Sequence, residues 1–273
     1  SQHSVRELRE IGIQPDILLC RTEHPLGESN RNKIAMFCNV KPEMVFEARD
    51  ADDIYRIPLM YAEQGLDRAI IKRVGLGRTQ PVTEDWRRLV ERIDAISQPL
   101  CIGVVGKYID LQDAYKSIYE ALRHGAIAND VQLEIDRVDS ETLASPEAAA
   151  RRLEGLAGIL IPGGFGTRGI EGKILAAQYA RAQKVPYLGI CLGMQVALIE
   201  FARTVCGLER ANSREFDQDT AHPVVDLLAT QKTITSMGGT MRLGAYTCRL
   251  DEASKAAKFY GATQISERHR HRY

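Results

Sequence analysis

The chain has 273 residues, room for about two domains. Its 36 Lys and Arg balance 36 Asp and Glu, and dividing it near residue 99 leaves neither part strongly charged. That excludes a general nucleic-acid binder and a polybasic membrane anchor. With 44% apolar and 26% charged residues the composition is that of a globular protein. No apolar run approaches the ~18 residues of a membrane-spanning helix, and SQHSVRELRE lacks the apolar stretch of a signal peptide. The expectation is a cytoplasmic protein with reduced thiols, most of the six cysteines being inert core residues.

Apolar spacing predicts a helix from Ser4 to Ile11, a strand in DILLC after Pro15, a helix from Arg31 to Cys38 and a strand from Met44 to Ala48. A further helix begins at Ile54, and RAIIK (Arg68 to Lys72) reads as a short strand. An amphipathic helix from Thr83 to Ile96, with Thr83 and Asp85 as caps, reads as a linker. A second series then alternates strand and helix: CIGVVGKY, DAYKSIYEALRHGA, VQLEIDRV, SPEAAARRLEG, GILIPGG, GKILAAQYARAQ, VPYLGIC and MQVALIEFARTVC. Alternation with near-continuous apolar strands implies parallel sheets covered on both faces, hence an α/β fold of two doubly wound domains.

Chemistry concentrates at Gly189-Ile190-Cys191-Leu192-Gly193, between an apolar strand and an amphipathic helix. This is a nucleophile elbow with cysteine in the place of serine; a sharp strand-to-helix turn needs small neighbours. The helix N-terminus favours a thiolate, and the Leu192 N–H is one oxyanion donor. The glycines of Pro162-Gly163-Gly164-Phe165-Gly166 stand at the end of the preceding strand, where they supply the other. The opposing reading is a buried structural cysteine between chance glycines. Gly164, Gly166 and Gly169 also spell a dinucleotide fingerprint, but the next strand ends in Gly189-Ile190-Cys191 without an acid, which argues against nicotinamide binding.

A cysteine nucleophile ordinarily needs a histidine base. His222 lies in a polar stretch read as a loop, and His124 ends a helix. His269 and His271 alternate with Arg268, Arg270 and Arg272, which favours an anion site over a metal. The residues reveal a nucleophile without an evident base.

PGGFGTRGIEGK, YLGICLGMQVALIEFAR, ERANSREF, GGTMRLG and ERHRHRY together resemble the CTP synthases. QHSVRELREIGIQPDILLCR, NKIAMFCNV and IYRIPLMY resemble the end of the synthetase domain of that family, and VGKYIDLQDAYKSIYEAL the start of its glutamine amidotransferase domain. The likeness runs over essentially the whole chain. It implies residues 1–78 from the synthetase domain, a linker at 79–99 and a flavodoxin-like class I amidotransferase domain at 100–273, both domains incomplete.

The resemblance implies a cytoplasmic ligase in which ammonia from glutamine aminates UTP to CTP, with ATP and Mg2+ as cofactors, CTP as inhibitor, GTP as activator and a homotetrameric assembly. Cys191 resembles the nucleophile, with Gly163, Gly164 and Leu192 about the oxyanion. Leu192, Gly193, Met194, Gln195 and Glu215 resemble the glutamine pocket, and Arg272 the partner of the glutamine α-carboxylate. Gln2 and Lys33 match UTP- or CTP-binding positions, and Arg49, Asp50 and Ala51 a stretch beside ATP. The family's phosphate loop and magnesium carboxylates are expected before Ser1 and its catalytic His and Glu, in an H-P-E motif, after Tyr273. The loop before GGTMRLG looks short for the family. The chain by itself is therefore expected to lack ATP hydrolysis and to turn over glutamine roughly 10⁴–10⁶-fold more slowly. The alternatives are another cysteine hydrolase of flavodoxin-like fold and a non-catalytic module of amidotransferase shape.

Overall fold

A computed structural model describes residues 2–77, 81–109, 111–231 and 242–273. The chain divides into two units, Ser1–Gln98 and Pro99–Tyr273.

In the first unit, helix α1 (Gln2–Glu10) precedes strand β1 (Leu18–Thr22), helix α2 (Glu28–Cys38) and strand β2 (Val45–Arg49). The strands pair in parallel, Leu18 opposite Val45. Val5, Leu18, Cys20, Ala35, Cys38 and Val45 form the core beneath them. Helix α3 (Ile57–Gln64) follows a 3₁₀ turn begun at Ile54.

RAIIK is not a strand: it lies inside helix α4 (Leu66–Val74). A five-residue apolar run does not distinguish the two conformations. The flanks decide it, since Gly65 and Gly75 take left-handed backbone at either end, Asp67 lies in the first turn, and Lys72 and Arg73 in the last. Helix α5 (Glu84–Ala95), read as a linker, groups with this unit. Arg56 pairs with Asp94, and the Trp86 indole donates to the Tyr55 carbonyl at 2.5 Å. Thr83 is its N-cap residue without a side-chain cap bond, and Asp85 pairs with Arg88.

The second unit is built on strands β3 (Pro99–Gly106), β4 (Gln132–Asp139), β5 (Gly158–Ile161) and β6 (Tyr187–Gly189). All three pairings are parallel, in the order β4-β3-β5-β6, the flavodoxin-like arrangement. Helices α6 (Lys116–Ala128), α7 (Pro146–Leu153), α8 (Ile170–Gln183) and α9 (Leu192–Thr204) connect or follow the strands. The expectation of strands buried on both faces holds for β5 and the second half of β3. It fails for β4 and β6, the edges of the sheet, where Gln132, Glu134 and Leu188 are exposed.

Val105, Ile159, Ile161, Ile174, Leu192 and Ile199 lie in one core cluster. Between α8 and α9, Arg181 binds the carboxylate of Glu200, only 3% exposed, with bonds of 2.8–3.1 Å.

Beyond α9 the chain makes a short parallel pair, β7 (Ala211–Ser213) and β8 (His222–Val225). His222 therefore starts a strand rather than sitting in a loop. An antiparallel pair, β9 (Arg242–Arg249) with β10 (Gln264–Arg270), brackets the short helix α10 (Lys255–Tyr260). The second half of the loop read as short, DLLATQKTITSM, falls outside the described residues, as does most of GGTMRLG. Cys20 and Cys38 are buried, but Cys206 and Cys248 are exposed, against the expectation of mostly core thiols: one follows the end of α9 and the other lies on an exposed strand. No described helix is long and apolar enough to cross a membrane.

Candidate active site

Cys191 stands at the N-cap of α9 with φ +53° and ψ −105°. Asn39 and Lys184 share its positive φ but have the ordinary left-handed geometry of helix ends. Cys191 does not, and such a conformation persists only where the surroundings impose it. Here the elbow is locked by backbone. Ile190 N–H donates to the Ile161 carbonyl at 3.0 Å, and Gly193 N–H to the Ile190 carbonyl at 2.9 Å. A Cβ at Gly189 would lie 2.3 Å from the Gly193 carbonyl carbon, and one at Gly193 would lie 2.1 Å from the Ile161 oxygen. Both glycines of the motif are thus required by close approach, as its spacing suggests.

The double glycine after β5 reaches the same place. A Cβ at Gly163 would touch the Cys191 Cβ at 3.4 Å, and one at Gly164 would touch Leu192 at 3.4 Å. Gly163, Gly164 and Leu192 therefore surround the half-buried cysteine. The amides that act on the thiol are those of Gly164 and Leu192; Gly163 borders Cβ.

Burial works against the expected thiolate. Burial pushes the Cys191 thiol above its ordinary value; the Leu192 and Gly164 N–H groups oppose this, and the Glu215 carboxylate adds to it. The helix terminus is outweighed by desolvation together with a like charge.

Glu215 follows β7. Its backbone N–H donates to Ser213 Oγ at 3.1 Å, and its carboxylate accepts from Gly166 N–H at 2.8 Å. The glycine loop that imitates a dinucleotide fingerprint is thereby engaged by a carboxylate of the chain itself. Lys107 Nζ, at the end of β3, donates to the Phe165 carbonyl of the same loop at 2.5 Å.

A hollow of about 510 Å³ opens beside the sulfur, lined by Cys191, Met194 and Gln195 on the elbow side and by Leu228, Tyr246, His269, His271 and Tyr273 on the other. Met194 is exposed, whereas Gln195 is buried and its Nε2 reaches the Tyr273 carbonyl at 3.5 Å. Leu228 N–H donates to the Arg272 carbonyl at 3.0 Å, which docks the segment carrying Arg272 at this hollow.

Sequence reasoning missed the two imidazoles here. Their alternation puts both rings on one face, with Nδ1 atoms 3.4 Å apart and centroids 5.4 Å apart. The missing information was which element β10 faces, and that depends on tertiary packing. Arg268 and Arg270 are exposed, whereas Arg272 is half-buried. Burial and the neighbouring His269 lower the pKa of His271, favouring its neutral form. No cluster of three or more potential metal ligands occurs among the described residues.

In the first unit, Gln2 and Lys33 line separate hollows, the former with Arg6, Arg9 and Phe37, the latter with Glu28, Asn32 and Met36. Arg49 ends β2, and Asp50 and Ala51 follow it, at the carboxyl end of a parallel strand where ligands bind in such sheets. Arg49 lies 3.6 Å from Glu47, and Asp50 pairs with Arg21 at 3.0 Å.

Comparison with known proteins agrees with this geometry. Residues 110–273 match the family described as glutamine amidotransferase class-I, and residues 1–76 that described as CTP synthase N-terminus. The chain belongs to the class-I glutamine amidotransferases. Among curated relatives, this amidotransferase is 55% identical to the CTP synthase of Syntrophus aciditrophicus over 273 residues, all of the chain and 51% of that protein. It is 53% identical to the CTP synthase of Methanocaldococcus jannaschii over 278 residues, covering 52% of that protein. It spans about half the length of the curated relatives it matches. A Trypanosoma brucei structure, the glutaminase domain of a CTPS with bound acivicin, superposes with a TM-score of 0.59 at 43% identity. The match covers 64% of this chain and 67% of that one.

Proposed function

We propose that this amidotransferase is part of a CTP synthase, and that Cys191 releases ammonia from glutamine for the amination of UTP. The observation that carries the reading is the strained Cys191, between the double-glycine loop and α9, in a chain matched to CTP synthases along its whole length. The acivicin bound in the trypanosomal glutaminase domain supports a glutamine-shaped ligand for the hollow beside it.

Cys191 Sγ attacks the side-chain amide carbon of glutamine. The carbonyl oxygen becomes an oxyanion facing the Leu192 and Gly164 N–H groups, with Gly163 leaving room for it. As the C–N bond breaks, the thiol proton ends on the departing nitrogen, giving ammonia and a thioester. Water cleaves the thioester to glutamate and restores the thiol. Glu215 receives the α-ammonium and Arg272 the α-carboxylate, the charge pairing a zwitterionic amino acid requires. Leu192 to Gln195 wall the pocket.

Gln2 and Lys33 contribute to UTP or CTP binding, and the Arg49-Asp50-Ala51 stretch borders ATP. ATP supplies the activation of the UTP carbonyl, GTP acts as activator, and the enzyme is a cytoplasmic homotetramer. Mg2+ belongs to that ATP chemistry; the described residues offer it no cluster of ligands.

The test is the full-length gene product carrying Cys191→Ser. Glutamine-dependent CTP formation should fall by at least ~10³-fold while formation from ammonium salt persists. Retained glutamine dependence, or loss of both activities in a folded tetramer, would overturn the reading.

A further inference from the structure

Tyr187 opens β6, opposite Ile159 on β5, and its ring packs against the core cluster. Its hydroxyl donates to the Gly193 carbonyl at 2.6 Å, in the first turn of α9 and two residues past the nucleophile. Gly193 is thus gripped from three sides. The Ile161 carbonyl crowds its Cα, Gly189 lies against its carbonyl group, and the tyrosine holds its oxygen. The clamped carbonyl belongs to the Gly193–Met194 peptide, two peptides past the one whose N–H, that of Leu192, acts on the Cys191 thiol.

We propose that Tyr187 is a positioning residue for the nucleophile: its hydroxyl clamps the first turn of α9 and so keeps the Leu192 N–H aimed at the sulfur and at the oxyanion that forms there. A helical carbonyl has a second lone pair free for such a bond, and a phenol 2.6 Å away is a short, well-formed donor. The hydroxyl remains a donor at neutral pH, because burial and the nearby Glu200 carboxylate drive its pKa far up. Glu200 is itself tied by Arg181. The opposing account is that the phenol merely satisfies its own buried hydroxyl.

This rests on Cys191 being the nucleophile, and the experiment separates the two claims. Tyr187→Phe keeps the ring and removes the donor. The full chain and this variant are alkylated with iodoacetamide across a pH series and followed by peptide-resolved mass spectrometry. Exposed Cys206 serves as internal reference, and thermal unfolding is measured in parallel. Loss of the clamp should lower Cys191 alkylation near neutral pH about three- to tenfold relative to Cys206 and move its profile to higher pH. The unfolding midpoint should change by only a few degrees. An unshifted profile with a lowered midpoint makes the hydroxyl purely structural and overturns the inference, as does loss of the cooperative transition. Failure of acivicin to label Cys191 in the unmodified chain removes the nucleophile reading instead.

Discussion

Glu215 and Gly166 lie 49 residues apart in sequence, yet the carboxylate accepts the glycine N–H at 2.8 Å and acts on the Cys191 thiol. One side chain thus joins the segment after β7 to the loop after β5, beside Cys191. A carboxylate there raises the thiol pKa and, in the proposed function, receives the substrate ammonium.

Those two roles predict opposite effects of Glu215→Gln. Removing the charge lowers the Cys191 pKa, so iodoacetamide, which is neutral, should alkylate Cys191 faster near pH 8. Protection of Cys191 by glutamine should require about 10–100-fold more ligand, the loss of a charge-assisted bond. A pH series with and without glutamine checks both.

The elbow admits no side chain at Gly189. In Gly189→Ala the new methyl would meet the backbone of Gly193, which has no rotamer to yield. Destabilisation of the second unit by about 3 kcal/mol or more is expected. Urea titration measures it, and a change below about 1 kcal/mol would contradict the geometry.

Arg181 and Glu200 hold α8 against α9. Arg181→Met leaves a carboxylate only 3% exposed without its guanidinium and should cost about 2–4 kcal/mol. Arg181→Met combined with Glu200→Leu should recover most of that loss. A double-mutant cycle on denaturation midpoints reads the coupling.

Lys173, on α8, is 1% exposed, and burial together with Lys107 lowers its pKa to about 8. The unfolded chain therefore binds the extra proton between pH 8 and about 10.5, and this group's contribution to stability rises with pH across that window. At neutral pH Lys173→Met should stabilise the second unit by up to about 3 kcal/mol, an advantage that fades by pH 10. Denaturation at pH 7 and pH 10 tests the sign.

The elbow around Cys191 was legible because a strained turn needs small residues at fixed spacing, and Gly189 and Gly193 meet backbone where the motif places them. The alternation of strands and helices from Cys101 to Cys206 was legible for a similar reason, since buried parallel strands leave apolar runs. RAIIK misled because its helix is declared by Gly65 and Gly75 outside the run. The helix terminus at Cys191 was legible because it is a local feature, whereas the burial and the nearness of Glu215 that raise the thiol pKa are tertiary. His269 and His271 announced a shared face but not the hollow it lines.

The central claim is that Cys191 attacks a glutamine amide. Its most direct test is to treat the chain with acivicin, with and without excess L-glutamine, and to locate the adduct by peptide-resolved mass spectrometry. The account predicts an adduct on Cys191, suppressed by glutamine, with Cys206 and Cys248 largely unmodified. An adduct spread over the exposed cysteines, or one on Cys191 that glutamine does not suppress, would contradict it.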